Sequence, residues 1–307
     1  MYDLKKLLLI YNPASGNGNF REDLDDCVEV FQRCGYMVSI FRTSLERDAG
    51  SRIEALISGE GAMNIDAVVV AGGDGTISRV VNAIMRSGRD VPIGIISAGT
   101  ANDFARFIGV PSDVRAACEA IAARNLVRVD LGQVNGGSYF INVCAAGMLT
   151  NISHYVDQDL KNTFGKLAYY IKGIEQIPSF VPLRFRIITS HEVFEEELYF
   201  FFILNSTGAG GFDRLSPAAR LDDGLFDFVG FRAFPILELP ALFIKVLAGD
   251  YLDDKHILFL RDNFFRVEYM QPPGDVLLMK ADIDGEVGPQ LPIEVRNIPG
   301  ALRIFTM

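Results

Sequence analysis

The chain has no tryptophan, and only three histidines and four cysteines among its 307 residues. His154, His191 and His256 are scattered, so a histidine-built metal site or a histidine-based triad has little to rest on. Cys27, Cys34, Cys118 and Cys144 show no CxxC spacing, and the first residues run into a strand without a signal-peptide pattern. Reduced structural thiols in the cytoplasm are the reading this supports. Blocks of Lys and Arg are absent and the formal net charge is −10, which excludes general nucleic-acid binding and strong docking on anionic lipid. The longest uninterrupted apolar run, 198–204, is far too short to span a bilayer. Neither of two common phosphate-binding signatures is present. There is no GxGxxG, and Gly165-Lys166 has Leu160 where a Walker A would place glycine.

What is present is alternation. Short apolar runs over 7–11, 37–41, 67–71 and 92–96 read as strands. Between them lie apolar residues at helical spacing: Phe20, Leu24, Cys27, Val28 and Phe31; a helix through 53–57; then Ile77, Val80, Val81, Ile84 and Met85. This βα repetition predicts a doubly wound parallel α/β domain over 1–128, with its ligand beyond the carboxyl ends of the strands. Three polar loops fall at such ends: Asn12-Pro13-Ala14-Ser15-Gly16-Asn17-Gly18, Gly72-Gly73-Asp74-Gly75-Thr76, and Ser97 to Phe104. From residue 129 to 298 the pattern changes. Short strands over 127–134, 139–143, 183–189, 198–204, 226–231, 265–269, 276–280 and 293–295 predict a C-terminal antiparallel β-sandwich. Helical stretches over 162–176 and 236–247 interrupt it, and a last strand over 301–305 offers a return to the first domain.

The chemistry concentrates in a few turns. Glycines where a strand meets a helix let backbone N–H groups approach phosphate oxygens, and the helix N-terminus adds partial positive charge. Asp74, in that turn, has the reach of a phosphate-bound Mg²⁺. A tight βα turn of any α/β protein has the same composition. Thr76 is a candidate cap for the helix after the glycines, and Thr100 or Asn102 for the next. Late in the chain, Ala281-Asp282-Ile283-Asp284-Gly285-Glu286 packs three carboxylates beside a glycine. A hairpin turn explains Asp284-Gly285 without function. An extended backbone would instead turn Asp282, Asp284 and Glu286 to one face, where mutual repulsion raises a carboxyl pKa toward that of a general base. Asp282 is a candidate for raising Asp284 in this way. A second acidic turn, Arg220-Leu221-Asp222-Asp223-Gly224-Leu225, suits a hard cation or plain solvent.

Together these residues resemble the diacylglycerol kinase catalytic family, in its small bacterial lipid-kinase branch. The matching elements are Asn12-Pro13-Ala14-Ser15-Gly16, Gly72-Gly73-Asp74-Gly75-Thr76, Gly99-Thr100-Ala101-Asn102-Asp103-Phe104-Ala105, Asp223-Gly224 and Asp284-Gly285-Glu286, in the family's order and spanning nearly the whole chain. The first glycine motif is shared with NAD kinases, the Asn102-Asp103-Phe104-Ala105 element much less so. The resemblance implies an interdomain nucleotide cleft, ATP and Mg²⁺ as cofactors, and transfer of the γ-phosphate to a lipid hydroxyl, with diacylglycerol the leading candidate. It implies that Asp284 is the general base and that Glu286 lies near the nucleotide or its metal. Asp74 and Asp103 would support the Mg²⁺–phosphate network, and Gly72, Gly73, Gly75 and Thr76 would hold phosphates. Asn12, Thr43, Thr100 and Asn102 would line the nucleotide pocket, and Arg220, Asp223 and Leu225 would hold a structural Mg²⁺. A lipid substrate needs an apolar entry path and transient peripheral contact with a membrane, for which the stretch from Phe234 to Leu247, or Tyr169, Tyr170 and Ile171 with Lys161, Lys166 and Lys172, are candidates; core helices of the second domain are the plainer reading of both. A homodimer is compatible with the resemblance. Two alternatives stand beside this reading: an NAD kinase-like enzyme, and a catalytically silent nucleotide-binding regulator. One departure is marked: many members continue Gly-Gly-Asp-Gly-Thr with one residue and then Asn-Glu, and here Ser78-Arg79 stands in that place.

Overall fold

The computed structural model describes residues 4–16, 20–43, 49–58, 65–147, 182–235, 238–270 and 279–306. Strands β1 (Lys5–Tyr11), β2 (Tyr36–Arg42), β3 (Ala67–Gly72) and β4 (Ile93–Ser97) run parallel in the order β2-β1-β3-β4. Side chains alternate across a strand, and β1 uses both faces. Leu7, Leu9 and Tyr11 pack on one side with α1 (Phe20–Arg33) and α5 (Val114–Ala122). Leu8 and Ile10 pack on the other with α2 (Ala49–Ser58) and α3 (Asp74–Ser87). The helix after β1 and the helix after β3 therefore leave on opposite faces. That reversal opens a crevice between β1 and β3 at their carboxyl ends, the usual ligand position of a doubly wound sheet. The loop after β4 and the short α4 (Asp103–Phe107) close its third side.

The second half is antiparallel. It runs through β5 (Leu126–Val134), β6 (Ser138–Phe140), β7 (Val143–Gly147), β8 (Leu183–Thr189), β9 (Val193–Leu204) and β10 (Phe226–Arg232). It continues through α6 (Leu239–Ala248), β11 (Ile257–Asp262), β12 (Phe264–Tyr269), β13 (Lys280–Ile283), β14 (Glu286–Gln290) and β15 (Ile293–Phe305). Its core is phenylalanine-rich: Phe140, Phe185, Phe201, Phe226, Phe228 and Phe265 are fully buried, and the rings of Phe201 and Phe228 stack at 5.1 Å. A satellite core joins Leu242 and Val246 of α6 to Tyr199, Phe231 and Tyr251.

Strand β15 belongs to both halves. It pairs antiparallel with β12 and β5, and Ile304 at its far end pairs in parallel with Ile93 of β4. Several elements differ from the sequence reading. The strand expected over 139–143 is two strands, broken at Ile141 and Asn142 because their N–H groups leave the ladder for a side chain. Strand β11, an apolar run not among the expected strands, pairs with β10. The helix expected over 236–247 runs over Leu239–Ala248; of the strand expected over 276–280, residues 276–278 lie outside the described residues and Lys280 opens β13. The helix expected over 162–176 lies outside the described residues.

Candidate active site

Three loops and one hairpin enclose an open cleft of about 290 Å³. Its lining is Asn12, Ala14, Ser15 and Gly16 from the loop after β1; Gly73, Asp74, Gly75, Thr76 and Arg79 from the start of α3; Gly99 and Thr100; and Glu286 from β14. The loops are in direct backbone contact. A Cβ added to Gly99 would lie 2.3 Å from the Gly73 Cα, so only glycine allows the second and third loops to touch there.

Side chains fasten these loops to one another. Asn12 donates from Nδ2 to the Thr76 hydroxyl at 3.2 Å, while its Oδ1 accepts from the Ala14 N–H. Gly73 holds the N-cap position of α3 in an extended conformation with no side-chain cap, so Thr76 is not the cap. Asn102 stands at the N-cap of α4 with φ 51, but its side chain folds back onto the N–H and carbonyl of Gly99. The donors that open α4 go instead to Asp74, whose carboxylate accepts from the Asp103 and Phe104 N–H groups at 3.3 and 3.4 Å. At α4 the expected local cap fails because a carboxylate distant in sequence takes its donors, whereas α3 opens on Gly73 with no side-chain cap. Burial, and then the neighbouring Asp103 charge, push the Asp74 carboxyl above its ordinary range. Asp103 itself faces away from the cleft, toward the Arg106 guanidinium and the Gly211 N–H of the second half.

The opposite wall is the β13–β14 hairpin. Ile283 pairs with Glu286, and the two loop residues Asp284 and Gly285 have φ of 51 and 85, the left-handed pair that closes a tight hairpin. The backbone therefore turns at Asp284, and the three carboxylates do not share a face. Asp282 accepts from the Gly285 N–H. Asp284 turns inward, its carboxylate accepting from the N–H groups of Ile141, Asn142 and Val143 at 2.9 to 3.0 Å, with a further bond from the Ser78 hydroxyl. Burial raises its carboxyl to about 6, against the pull of those four donors. Asp282 is not among the causes, so the expectation that it would raise Asp284 is replaced by desolvation.

Glu286 reaches back across the cleft, its Oε1 2.6 Å from the Arg79 guanidinium and 3.0 Å from the place a Gly75 Cβ would occupy. Ser78 and Arg79 were read only as a departure from a pattern. They are the residues of α3 that meet Asp284 and Glu286. Arg79 lies one helical turn after Gly75 and hence on the same face, a spacing that was available as a signal.

Thr43 is buried at the end of β2, where its N–H bonds the Tyr11 carbonyl, and it is not part of the cleft lining. Gly72 packs against the Thr76 side chain beneath the turn. The Asp223 turn does not fit the cation expected there. One carboxylate oxygen takes the Arg261 guanidinium and the other the Leu225 N–H, while the Gly224 N–H goes to Asp130. Arg261 thus supplies the charge that a metal beside Arg220 and Leu225 would bring. Among the described residues, no group of three or more His, Cys, Asp or Glu is placed to hold a metal.

Comparison with known proteins agrees with the two-domain fold. Residues 6–134 match the diacylglycerol kinase catalytic domain family, and 142–306 match the YegS C-terminal NAD kinase beta sandwich-like domain. A diacylglycerol kinase from Bacillus subtilis (strain 168) is 33% identical over 96% of this chain and 94% of that one. A diacylglycerol kinase from Staphylococcus aureus (strain bovine RF122 / ET3-1) is 32% identical over 98% and 92%. A solved diacylglycerol kinase structure from Bacillus anthracis str. Sterne has TM-score 0.75 at 21% identity, covering 100% of this chain and 98% of that one. A second solved chain from that organism has TM-score 0.81 at 24% identity, covering 100% and 97%. At these identities the two structures speak for the two-domain fold alone. The sequence relatives go further: this chain is a member of the diacylglycerol kinase catalytic domain family.

Proposed function

We propose that the protein transfers the terminal phosphoryl group of ATP to a lipid hydroxyl, converting diacylglycerol to phosphatidic acid. The observation that carries this reading is the meeting of two unlike walls in one cleft. A glycine-rich helix start suited to phosphates faces a hairpin whose Glu286 lines the cleft, and two residues before it, buried behind that lining, stands the Asp284 carboxylate, whose pKa is raised to about 6. The naming of the most similar relatives as diacylglycerol kinases supports the choice of acceptor.

In this reading residues 1–128 with the end of β15 hold the nucleotide, and residues 129–298 present the lipid. The N–H groups at Gly73 and Gly75, with the α3 dipole, hold the phosphate chain; the Thr76 N–H is taken by the Gly73 carbonyl, so Thr76 contributes its hydroxyl, and Asn12 and Thr100 line the flank. Gly72 and Asn102 shape the loops rather than touch substrate. Asp284 is the general base that takes the acceptor hydroxyl proton, and its four donors keep it oriented. Asp103 ties α4 to the lipid half. Asp74 fits a Mg²⁺ arriving on the phosphates, since that charge relieves the burial and the Asp103 repulsion it bears. The ion would supply charge neutralisation of the phosphoryl group in transfer. Helix α6 presents Ile244 and Leu247 outward, 64% and 43% exposed, as the membrane-touching face; no described helix is long and apolar enough to cross a bilayer.

The test is incubation with γ-labelled ATP, Mg²⁺ and diacylglycerol in mixed micelles, with NAD in a parallel reaction. Labelled phosphatidic acid that disappears with Asp284→Asn is the expected result. Labelled NAD and unlabelled lipid would overturn the reading, and undiminished labelling by Asp284→Asn would remove Asp284 as the base.

A further inference from the structure

Among the described residues that line the cleft, Arg79 is the one cationic side chain. It is 47% exposed at the side chain, and its guanidinium is held by Glu286, a residue 207 positions away on the opposite wall. The Glu286 carboxylate does two things at once. It neutralises Arg79, and it lies against Gly75 in the first turn of α3, close enough that a Cβ there would meet Oε1 at 3.0 Å. A helix of this length concentrates partial positive charge at its first turn and favours anions there. An anionic side chain thus already occupies the position where helix dipole and guanidinium together would hold a phosphate.

We propose that Glu286 is a resident stand-in for phosphate, and that the terminal phosphate of the nucleotide displaces it from Arg79 and from the start of α3. This rests on the nucleotide-binding reading given above. The neighbouring residues fix which phosphate is meant. Ser78 bonds Asp284, and Asp284 precedes Glu286 by a two-residue turn, so Arg79 lies on the acceptor side of the phosphate chain. The exchange conserves charge on Arg79: one anionic oxygen leaves as another arrives. It breaks the ion pair between α3 and β14, so the two walls are fastened to each other without nucleotide and to the nucleotide when it is bound. Glu286, once released, is free to face the phosphates' metal.

The exchange has a signature that a structural ion pair lacks. If Arg79 and Glu286 only brace the cleft, removing either one weakens the site in the same direction. If Glu286 competes with phosphate, the two removals act oppositely. Calorimetric binding of inorganic tripolyphosphate and of ATP, both in EDTA so that no metal takes part, measures this on the full chain. Arg79→Gln is expected to weaken both by about ten- to a hundredfold, the loss of one charge-assisted contact. Glu286→Gln, nearly the same shape without the charge, is expected to tighten both severalfold. ADP should feel Arg79→Gln much less than ATP, and Arg79→Lys should restore part of the affinity as a point charge without the fork. Unchanged or weakened binding with Glu286→Gln overturns the exchange, as does an Arg79→Gln protein that binds ATP like the parent. The lipid-labelling assay is scored separately. Opposite shifts in binding with no lipid labelled leave the exchange standing and sink the acceptor assignment; labelled lipid with parallel shifts does the reverse.

Discussion

Asp284 combines two demands that normally conflict. A carboxylate given three backbone N–H donors and a hydroxyl is pulled toward a low pKa, yet burial wins and leaves it at about 6. A base must be ionised to accept a proton, so turnover should rise with pH through about 6 and level off above it, read as kcat/KM against pH with lipid in excess. Ser78→Ala removes a donor that favours the ionised form. The acid limb should then move to higher pH by about one pH unit, with little change in ATP affinity. A limb that stays put in that variant would separate Ser78 from the base. Little of this could be read from the chain. The short spacing from Asp282 to Glu286 was visible, but it suggested an extended strand and a repelling cluster. The actual partners, Ile141, Asn142 and Val143, are more than 140 positions away and donate through backbone, which carries no residue-type signal. The spacing from Gly75 to Arg79 places the arginine on the phosphate face of α3, but nothing local to the helix names Glu286 as its partner.

Elements explain why the glycine loops sit where they do. β1 and β3 are neighbours whose helices leave on opposite faces, so their loops part, and the loop after β4 packs against the gap. The contact is so close at Gly99 that an added Cβ would meet both the Gly73 Cα and, at 2.6 Å, the Asn102 side-chain oxygen. Gly99→Ala must therefore spread two loops whose backbones are fixed by β3 and β4. A destabilisation of about 1–3 kcal/mol, the range for overpacking, is expected in urea unfolding, together with weaker ATP binding. Wild-type affinity in that variant would show that the loops need not touch. Helix α6 makes the converse case, an element whose two faces do different work. Leu242 and Val246 are core residues, whereas Ile244 and Leu247 face outward. Ile244→Asp combined with Leu247→Asp should lower activity on vesicle-borne diacylglycerol severalfold and spare activity on a dispersed short-chain analogue; equal loss on both substrates would argue against a membrane face. Binary patterning located the βα units well because β1, β3 and β4 are buried on both sides and each helix on one. It could not divide α6 into faces, since apolar residues occupy both, and it missed β11 although Ile257-Leu258-Phe259-Leu260 is an apolar run of strand length.

At the scale of the whole molecule, the two halves are joined by a strand as well as by a cleft. β15 lies antiparallel to β5 and β12 and, thirteen residues long, ends beside β4, with Leu302, Ile304 and Phe305 buried in the cores of the first half. The nucleotide half therefore borrows its last strand from the far end of the chain. A fragment ending at Val134, where the match to the catalytic domain family ends, keeps every phosphate-binding loop and loses that strand. Its β4 and β5 would then expose unpaired edges and the apolar side chains Ile93, Val129 and Leu131, a configuration that favours association over folding. Such a fragment should aggregate or show fluctuating packing, with no cooperative thermal transition and no ATP binding, although the glycine motifs are intact. In the full chain, Ile304→Ala leaves all site residues in place but empties a fully buried position shared by β15 and β4. It should cost about 2–5 kcal/mol in denaturant unfolding, and ATP binding should be lost at the denaturant concentration where the nucleotide half melts. A fragment ending at Val134 that unfolds cooperatively and binds ATP would show that the first half closes its own sheet, and that β15 is an addition to it rather than a part of it.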